Sequence, residues 1–289
     1  MEVFRRKSAI RAQLATWRAA GTPVVLVPTM GFLHEGHLSL MRLARARAGE
    51  GGQVVASIFV NPTQFGPNED FDSYPRDEAR DLALLEAEGV DAVFAPDAGE
   101  VYDPCGQTVV ETTELGKILI GKLRPGHFRG VATIVTKLFN IIRPDAAVFG
   151  EKDYQQLAVI RTMVRDLDMG VEIIGAPIRR EADGLAMSSR NVRLAPADRA
   201  AATVLSRALD EAEAMAPTGV TASRLRSHVR ARLEAESRAR VQSVDIRDAA
   251  TLEPVSGPLT RPAVILLAVS FGQVFLIDNR VVHPAQEVP

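Results

Sequence analysis

Two histidines three residues apart, His34 and His37, follow an apolar run and a Pro28-Thr29-Met30-Gly31 turn. On a first helical turn that spacing puts both imidazoles on one side. Gly31 and Gly36 allow close backbone approach, and a helix N-terminus beside them favours an anion. Zinc is the competing chemistry, but His34-Glu35-Gly36-His37 is one residue short of H-E-x-x-H, and the chain's one cysteine, Cys105, adds little. The turn has neither a Walker A pattern nor G-x-G-x-x-G. Ordinary capping histidines would explain the pair taken alone.

Three further stretches carry compatible chemistry. Lys152 lies directly after an apolar run, where its ammonium offers a point charge to phosphate. Gln156, one turn into the next helix, offers both donor and acceptor to a small polar substrate. In Met187-Ser188-Ser189-Arg190-Asn191, two hydroxyls and an arginine suit a mobile loop closing on a triphosphate, though they also suit a plain polar connection. Asn61, Gln64 and Tyr74 occupy another loop, where Asn61 before Pro62 equally fits turn chemistry. Asp81 is the strongest magnesium candidate among the acids, against a commoner role in i,i+4 charge pairing. Lys122, Arg124, His127 and Arg129 form a cationic cluster, either a surface feature or a phosphate lid. Met30 is a packing residue that also reaches ligand.

These residues need a scaffold. Val24–Val27, Gln53–Val60, Ala92–Ala95, Ala146–Phe149 and Val171–Ala176 are short, apolar and largely β-branched, which predicts buried strands. Helices are predicted over 8–20, 38–47, from 75 or 76 to before Gly89, 115–121, 131–142 and 154–167, with a further strand at 108–112. Alternating strands and helices predict a Rossmann-like, doubly wound parallel sheet of α/β class. Ligands of such sheets sit beyond the strands' C-terminal ends. The segments leaving those ends are 29–37, 61–67, 150–156 and 179–190, which carry the residues above. After Pro196 come two Ala-, Arg- and Glu-rich helices, a strand over 241–247 and a hairpin around Gly272-Gln273. The expected organisation is a nucleotide- and substrate-binding domain over 1–178 and a smaller C-terminal α+β lid domain over 179–289.

Bulk properties narrow the class. The chain has 289 residues, 46% hydrophobic and 24% charged, with a net charge of -2. Nothing there points to nucleic acid or an acidic membrane. One cysteine excludes an intramolecular disulfide, no apolar stretch reaches membrane length, and the N-terminus lacks a signal-peptide core. A soluble cytoplasmic protein is expected.

Taken together and in order, several segments resemble the pantoate–β-alanine ligase (pantothenate synthetase) family of the nucleotidylyltransferase superfamily. They are Pro28–Gly31 with His34–His37, Phe59–Pro62 with Gln64-Phe65, Arg124–Phe128, Phe149–Leu157, Asp183–Asn191 and Leu276–Asn279. The likeness spans essentially the whole chain. It implies adenylation of pantoate by ATP, then attack by β-alanine to give pantothenate and AMP. It also implies that Met30, His34, His37, Gly150, Glu151, Lys152, Asp153, Arg179, Met187, Ser188, Ser189 and Arg190 bind ATP. Of these, His34, His37, Lys152 and Arg190 are the catalytic set, with His37 as general acid. Gln64, Gln156, Asn61 and Tyr74 would bind pantoate or β-alanine, magnesium would bridge phosphates near Asp81, and the protein would be a homodimer. Three positions depart from the expected pattern: Thr63 stands where Met is expected, Arg179 where an apolar residue is usual, and Arg80 where some relatives carry an acid. An adenylyltransferase with a phosphorylated acceptor, or a non-catalytic nucleotide sensor, would share the histidine pair and the sheet.

Overall fold

The protein is described by a computed structural model, covering residues 1–67, 69 and 71–285. It divides into two compact units, Met1–Pro177 and Ile178–Pro289. The first runs β1 (Glu2–Phe4), α1 (Lys7–Ala19), β2 (Val24–Thr29), α2 (Glu35–Ala48), β3 (Gln53–Ile58), α3 (Glu78–Ala87), β4 (Ala92–Phe94), α4 (Ala98–Val101), α5 (Ile120–Leu123), α6 (His127–Ile142), β5 (Ala146–Gly150), α7 (Tyr154–Asp166) and β6 (Glu172–Ala176).

Its six strands form one parallel sheet in the order β1-β4-β3-β2-β5-β6. The chain moves outward from β2 through β3 to β4, then returns to the other side of β2 for β5 and β6. Strand order therefore reverses between β2 and β5, and a crevice opens at their C-terminal ends. The apolar runs predicted as strands bury against helices on both faces. Met41, Ala44 and Leu85 from α2 and α3 pack with Val25, Val27 and Val148. Ile10, Leu14, Val135, Leu138, Ile142 and Ile160 from α1, α6 and α7 pack with Leu26, Val55, Phe94 and Ala147 on the opposite face. Carboxylates secure the strand starts. Asp145 accepts from the Val24 N–H at 2.7 Å, and Asp91 from the Val54 N–H at 2.7 Å.

Sequence patterning misplaces several elements. β1 escapes it because three residues are too few to display alternation. The strand predicted over 108–112 is absent. There the backbone of Val110 hydrogen-bonds the Thr133 hydroxyl of α6 instead, at 3.0 and 3.3 Å. The helix predicted over 115–121 is interrupted at Leu119, whose φ is 51°. The buried side chain of Gln155 holds that break, bonding the Ile120 N–H and the carbonyls of Leu115 and Ile118 at 2.8–3.0 Å. α6 starts at His127 rather than at 131, after Gly126 with φ 84°. α2 starts at Glu35 rather than at 38, so His34 is its N-cap and His37 lies in its first turn.

The second unit continues with α8 (Pro196–Ala201), α9 (Val204–Met215), α10 (Ala222–Glu234), β7 (Ala239–Asp248), β8 (Ala263–Phe271) and β9 (Val274–Val282). Its antiparallel sheet runs β7-β8-β9. Leu205, Leu209, Leu225, Val229 and Leu233 of α9 and α10 pack on Ile246, Ile265, Leu267, Phe271 and Leu276 of that sheet.

Leu26 lies fully buried in β2, paired to both β3 and β5. Leu26→Ala is expected to cost about 2–5 kcal/mol in urea denaturation. A loss below roughly 1 kcal/mol would contradict a close-packed sheet centre.

Candidate active site

The turn leaving β2 is strained and strapped. Gly31 and Phe32 both have positive φ, 79° and 52°, a conformation that costs a non-glycine residue about 1–2 kcal/mol. Asp81, in the first turn of α3, offsets that cost. Its two oxygens accept the N–H groups of Phe32 and Leu33 at 2.6 and 2.7 Å. Its neighbour Arg80 donates to the Leu33 carbonyl at 2.9 Å, with its guanidinium 5.8 Å from the centre of the Phe32 ring. A side chain at position 31 would meet Asp81 Oδ2 at 2.9 Å, so Gly31 is required by space as well as by φ.

This geometry corrects the expectation for Asp81. The residue is 1% exposed and both oxygens are engaged by backbone, so it neither pairs charges on a solvated helix nor offers a face to magnesium. Burial, the largest influence, pushes its pKa up; the two backbone N–H bonds oppose that. Among the described residues, no group of three or more His, Cys, Asp or Glu could hold a metal ion.

The strapped turn delivers the histidines. Their ring centroids are 4.0 Å apart. The His34 backbone N–H donates to His37 Nδ1 at 3.3 Å. This assigns the proton of a neutral His37 to Nε2, which becomes a hydrogen-bond donor. Burial lowers the His37 pKa to about 3, reinforced by His34 and Lys152. Burial also lowers His34 to about 4, reinforced by Lys152 and Arg80 and opposed by Asp153. Lys152 and Asp153, at the exit of β5, thus both act electrostatically on His34, and Lys152 acts on His37 as well. His34 Nδ1 is buried without a hydrogen-bond partner among the described residues, an unsatisfied polar atom of the kind that functional sites retain.

Gln64 is held from several sides. It sits in a 3-10 turn over Pro62–Gln64, after β3. Asn61 Nδ2 donates to Gln64 Oε1 at 3.2 Å and to the Gly130 carbonyl at 3.1 Å. Asn61 Oδ1 receives the Tyr102 hydroxyl at 2.8 Å and the Thr63 hydroxyl at 3.0 Å. With the Asn61 amide so oriented, Gln64 presents Nε2, which lies 3.0 Å from the Met30 sulfur. A thioether is a weak acceptor, so this amide keeps donor capacity for an oxygen ligand. The Gln64 carbonyl accepts from His127 Nδ1 at 2.9 Å, while His127 Nε2 faces an Arg124 N–H at 3.1 Å. Burial is the main cause lowering the His127 pKa to about 4, followed by Arg124. Arg124 is itself forked onto Glu69 at 2.8 and 2.6 Å.

Half of the predicted cationic cluster therefore braces Gln64, while Lys122 and Arg129 are exposed. Asn61, expected as a substrate contact, has its amide engaged internally and acts on Gln64. Tyr74 is buried with its ring edge-on to Phe65, centroids 5.9 Å apart. Gly130 permits the close approach of α6, since a Cβ there would lie 2.4 Å from the Thr63 carbonyl oxygen. Sequence reasoning missed Tyr102, Gly130 and the bracing role of His127. The small residue in Arg129-Gly130-Val131, amid larger ones, was the available signal.

Gly150, Glu151, Lys152 and Asp153 form the exit from β5, with Gln156 following in the first turn of α7, partly exposed. Arg179, Met187, Ser188, Ser189 and Arg190 belong to the second unit. They lie on a hairpin in which the Met187 N–H donates to the Arg179 carbonyl at 2.9 Å.

The pantoate-β-alanine ligase family model matches residues 2–281. A pantothenate synthetase of Acetivibrio thermocellus is 52% identical over 284 residues, covering 98% of this chain and 100% of its own. One from Sinorhizobium medicae is 53% identical over 285 residues, 98% of this chain and 97% of its own. Among solved structures, pantothenate synthetase from Thermus thermophilus aligns with a TM-score of 0.92 at 44% identity, over 98% of this chain and 100% of that one. Pantoate-β-alanine ligase from Francisella tularensis, complexed with β-γ ATP and β-alanine, aligns with a TM-score of 0.80 at 32% identity, over 97% of each chain.

Two consequences follow from the strapped turn. Asp81→Asn leaves one backbone N–H facing an amide NH2, so activity is expected to fall by about 10–100-fold, the scale of a catalytic group misplaced by about 1 Å. Activity within twofold of wild type would remove the strap from the catalytic geometry. The histidines also give the unliganded fold a pH dependence. Their folded pKa values lie below the unfolded value near 6.5, so the unfolded chain binds their protons first. Stability is then lost as pH falls from about 6.5 toward about 4 for His34 and about 3 for His37, with no contribution above that window. In thermal melts, a His34→Asn/His37→Asn variant should lose less stability than wild type over that window; identical pH slopes would contradict buried neutral imidazoles.

Proposed function

The chain belongs to the pantoate–β-alanine ligase family, and on that premise we propose how its residues divide the work of the reaction. The reaction is the ATP-dependent joining of pantoate to β-alanine in pantothenate biosynthesis. One observation carries the assignment of parts. His34, His37 and Lys152 meet at the point where strand order reverses, and Gln64 is fixed beside Met30 at the exit of the neighbouring strand.

In the first step, a pantoate carboxylate oxygen attacks the α-phosphorus of ATP and the bond to pyrophosphate breaks, giving pantoyl adenylate. Two anions must meet, so cations and donors have to be in place beforehand. The His37 Nε2–H and the Lys152 ammonium answer that need on phosphate oxygens. Burial lowers the His37 pKa to about 3 in the unliganded chain, so His37 meets the nucleotide as a neutral Nε2–H donor. Ser188, Ser189 and Arg190 supply hydroxyls and a guanidinium to the departing phosphates. Gly150, Glu151 and Asp153 take the adenosine side, and on the family likeness Arg179 and Met187 are nucleotide-binding residues of the second unit. Gln64 Nε2 and Gln156 hold pantoate through its hydroxyl and carboxylate. In the second step, the β-alanine amine attacks the activated carbonyl, AMP leaves, and the amine proton passes to solvent.

Asp81 is committed to backbone N–H groups, so magnesium is read as part of the nucleotide substrate, where it would neutralise phosphate charge. Homodimerisation and a cytoplasmic location belong to the same proposal, on the family likeness. No helix among the described residues is long and apolar enough to cross a membrane.

The test is AMP release with pantoate, β-alanine, ATP and magnesium, each omitted in turn, together with ATP–pyrophosphate exchange without β-alanine. Exchange is expected only when pantoate is present; exchange without it would overturn the adenylate assignment. His37→Ala and Lys152→Ala should each lower exchange by about 10²–10³-fold, the scale of removing an oxyanion donor, with unchanged melting. Gln64→Ala should mainly raise the KM for pantoate, and an unchanged pantoate dependence would count against that pocket.

A further inference from the structure

The Asp278-Asn279 pair is not absorbed by the two steps above. Asp278 lies in β9 with a side chain 1% exposed, and Arg180 grips it with a two-pronged fork at 2.8 and 3.0 Å. The same guanidinium donates to the Gly184 carbonyl at 3.1 Å and the Asn279 carbonyl at 3.4 Å. The Asn279 N–H returns a bond to Asp278 Oδ1 at 2.7 Å. A buried ion pair gives little net stability over apolar residues of similar size, whereas its planar fork fixes orientation.

What the fork orients is the hairpin around Gly184. Arg180 bridges Ala186 in antiparallel fashion, and the Glu181 N–H donates to the Leu185 carbonyl at 2.8 Å. Two further stakes hold the hairpin tip. Asp183 is forked by Arg199 of α8 at 2.7 and 3.2 Å. Gly184, with φ 90°, sits so close to α9 that a Cβ would meet Ser206 Oγ at 2.9 Å. Ser188-Ser189-Arg190 follow directly. Asn191 folds that stretch back, its side chain donating to the Ala186 carbonyl at 3.0 Å and its N–H to the Ser188 carbonyl at 3.0 Å. These bonds tie Ser188-Ser189-Arg190, expected to be a mobile loop, back to the hairpin before it.

We infer that Asp278 is a positioning residue for the nucleotide: acting through Arg180, it fixes the hairpin that presents Ser188, Ser189 and Arg190. This rests on the proposal that those three residues engage the triphosphate. Asp278 touches no substrate in that scheme, and its effect falls on ATP rather than on pantoate or β-alanine.

The experiment measures KM for each substrate, kcat and melting for full-length Asp278→Asn, Arg180→Lys, an Asp278→Leu/Arg180→Met double variant, and Arg190→Ala. The double variant replaces the ion pair by apolar bulk, so it should melt close to wild type while losing the fork. ATP KM is expected to rise about tenfold or more in the first three variants, with pantoate and β-alanine KM values within about twofold. Uniform loss of kcat with all KM values unchanged would mean a merely structural pair and would overturn the inference. A stable double variant with wild-type ATP KM would do the same, provided Arg190→Ala raises it. An Arg190→Ala protein with unaltered ATP KM would instead sink the underlying nucleotide assignment.

Discussion

The structure depends on one topological constraint: β2 pairs in parallel with both β3 and β5, and the chain leaves β2 toward one side and returns on the other. Parallel pairing demands crossovers, and crossovers that diverge from a shared centre cannot fill the space above it. The crevice is therefore a by-product of sheet order. His34 and His37 follow β2 and Lys152 follows β5, so the residues lining its two sides are fixed before any loop detail is considered. The electrostatic outcome, two imidazoles held neutral by burial with an ammonium nearby, comes from the same enclosure.

Around that crevice the polar residues form two tiers. The outer tier, Asp81, Asn61, His127 and Arg124, is committed to backbone and amide groups of the inner tier. Each member is buried or half-buried, and each satisfies a group that would otherwise be left unpaired or free to rotate. Holding Phe32 at a positive φ and the Gln64 amide in one orientation places the inner donors without substrate to guide them. Preorganisation of that kind is where binding energy is converted into rate. Asp278 and Arg180 repeat the device within the second unit.

The departures from the expected family pattern fit this account unequally. Arg80 stands where an acid was expected in some relatives, yet its guanidinium joins the strap on Leu33 beside Asp81. Thr63 stands where a methionine was expected and contributes a hydroxyl shared between Asn61 and Tyr102. Arg179 uses its backbone in the hairpin, and nothing in the structure explains its side chain.

Much was legible from residue order alone. Continuous apolar runs announced the parallel sheet, because strands buried on both faces cannot alternate. His34, His37, Lys152 and Gln64 stood out as candidates because chemically unusual residues followed predicted strand ends directly, and the structure places them after β2, β5 and β3. Helix starts were misjudged by three or four residues at α2 and α6, since caps made by backbone geometry leave a weak signature. The strand expected at 108–112 failed because a single hydroxyl on α6 took its hydrogen bonds. By itself, then, the sequence determined the fold class and which polar residues stand at the strand exits, both written in local periodicity and residue type. Only the tertiary structure decided that Asp81 grips a turn 48 residues away in sequence, that Asn61 serves Gln64, and that Arg180 answers Asp278. A lone buried acid or amide looks the same in sequence whether it meets a metal, a substrate or a backbone N–H; its partner is chosen by the packing of distant elements.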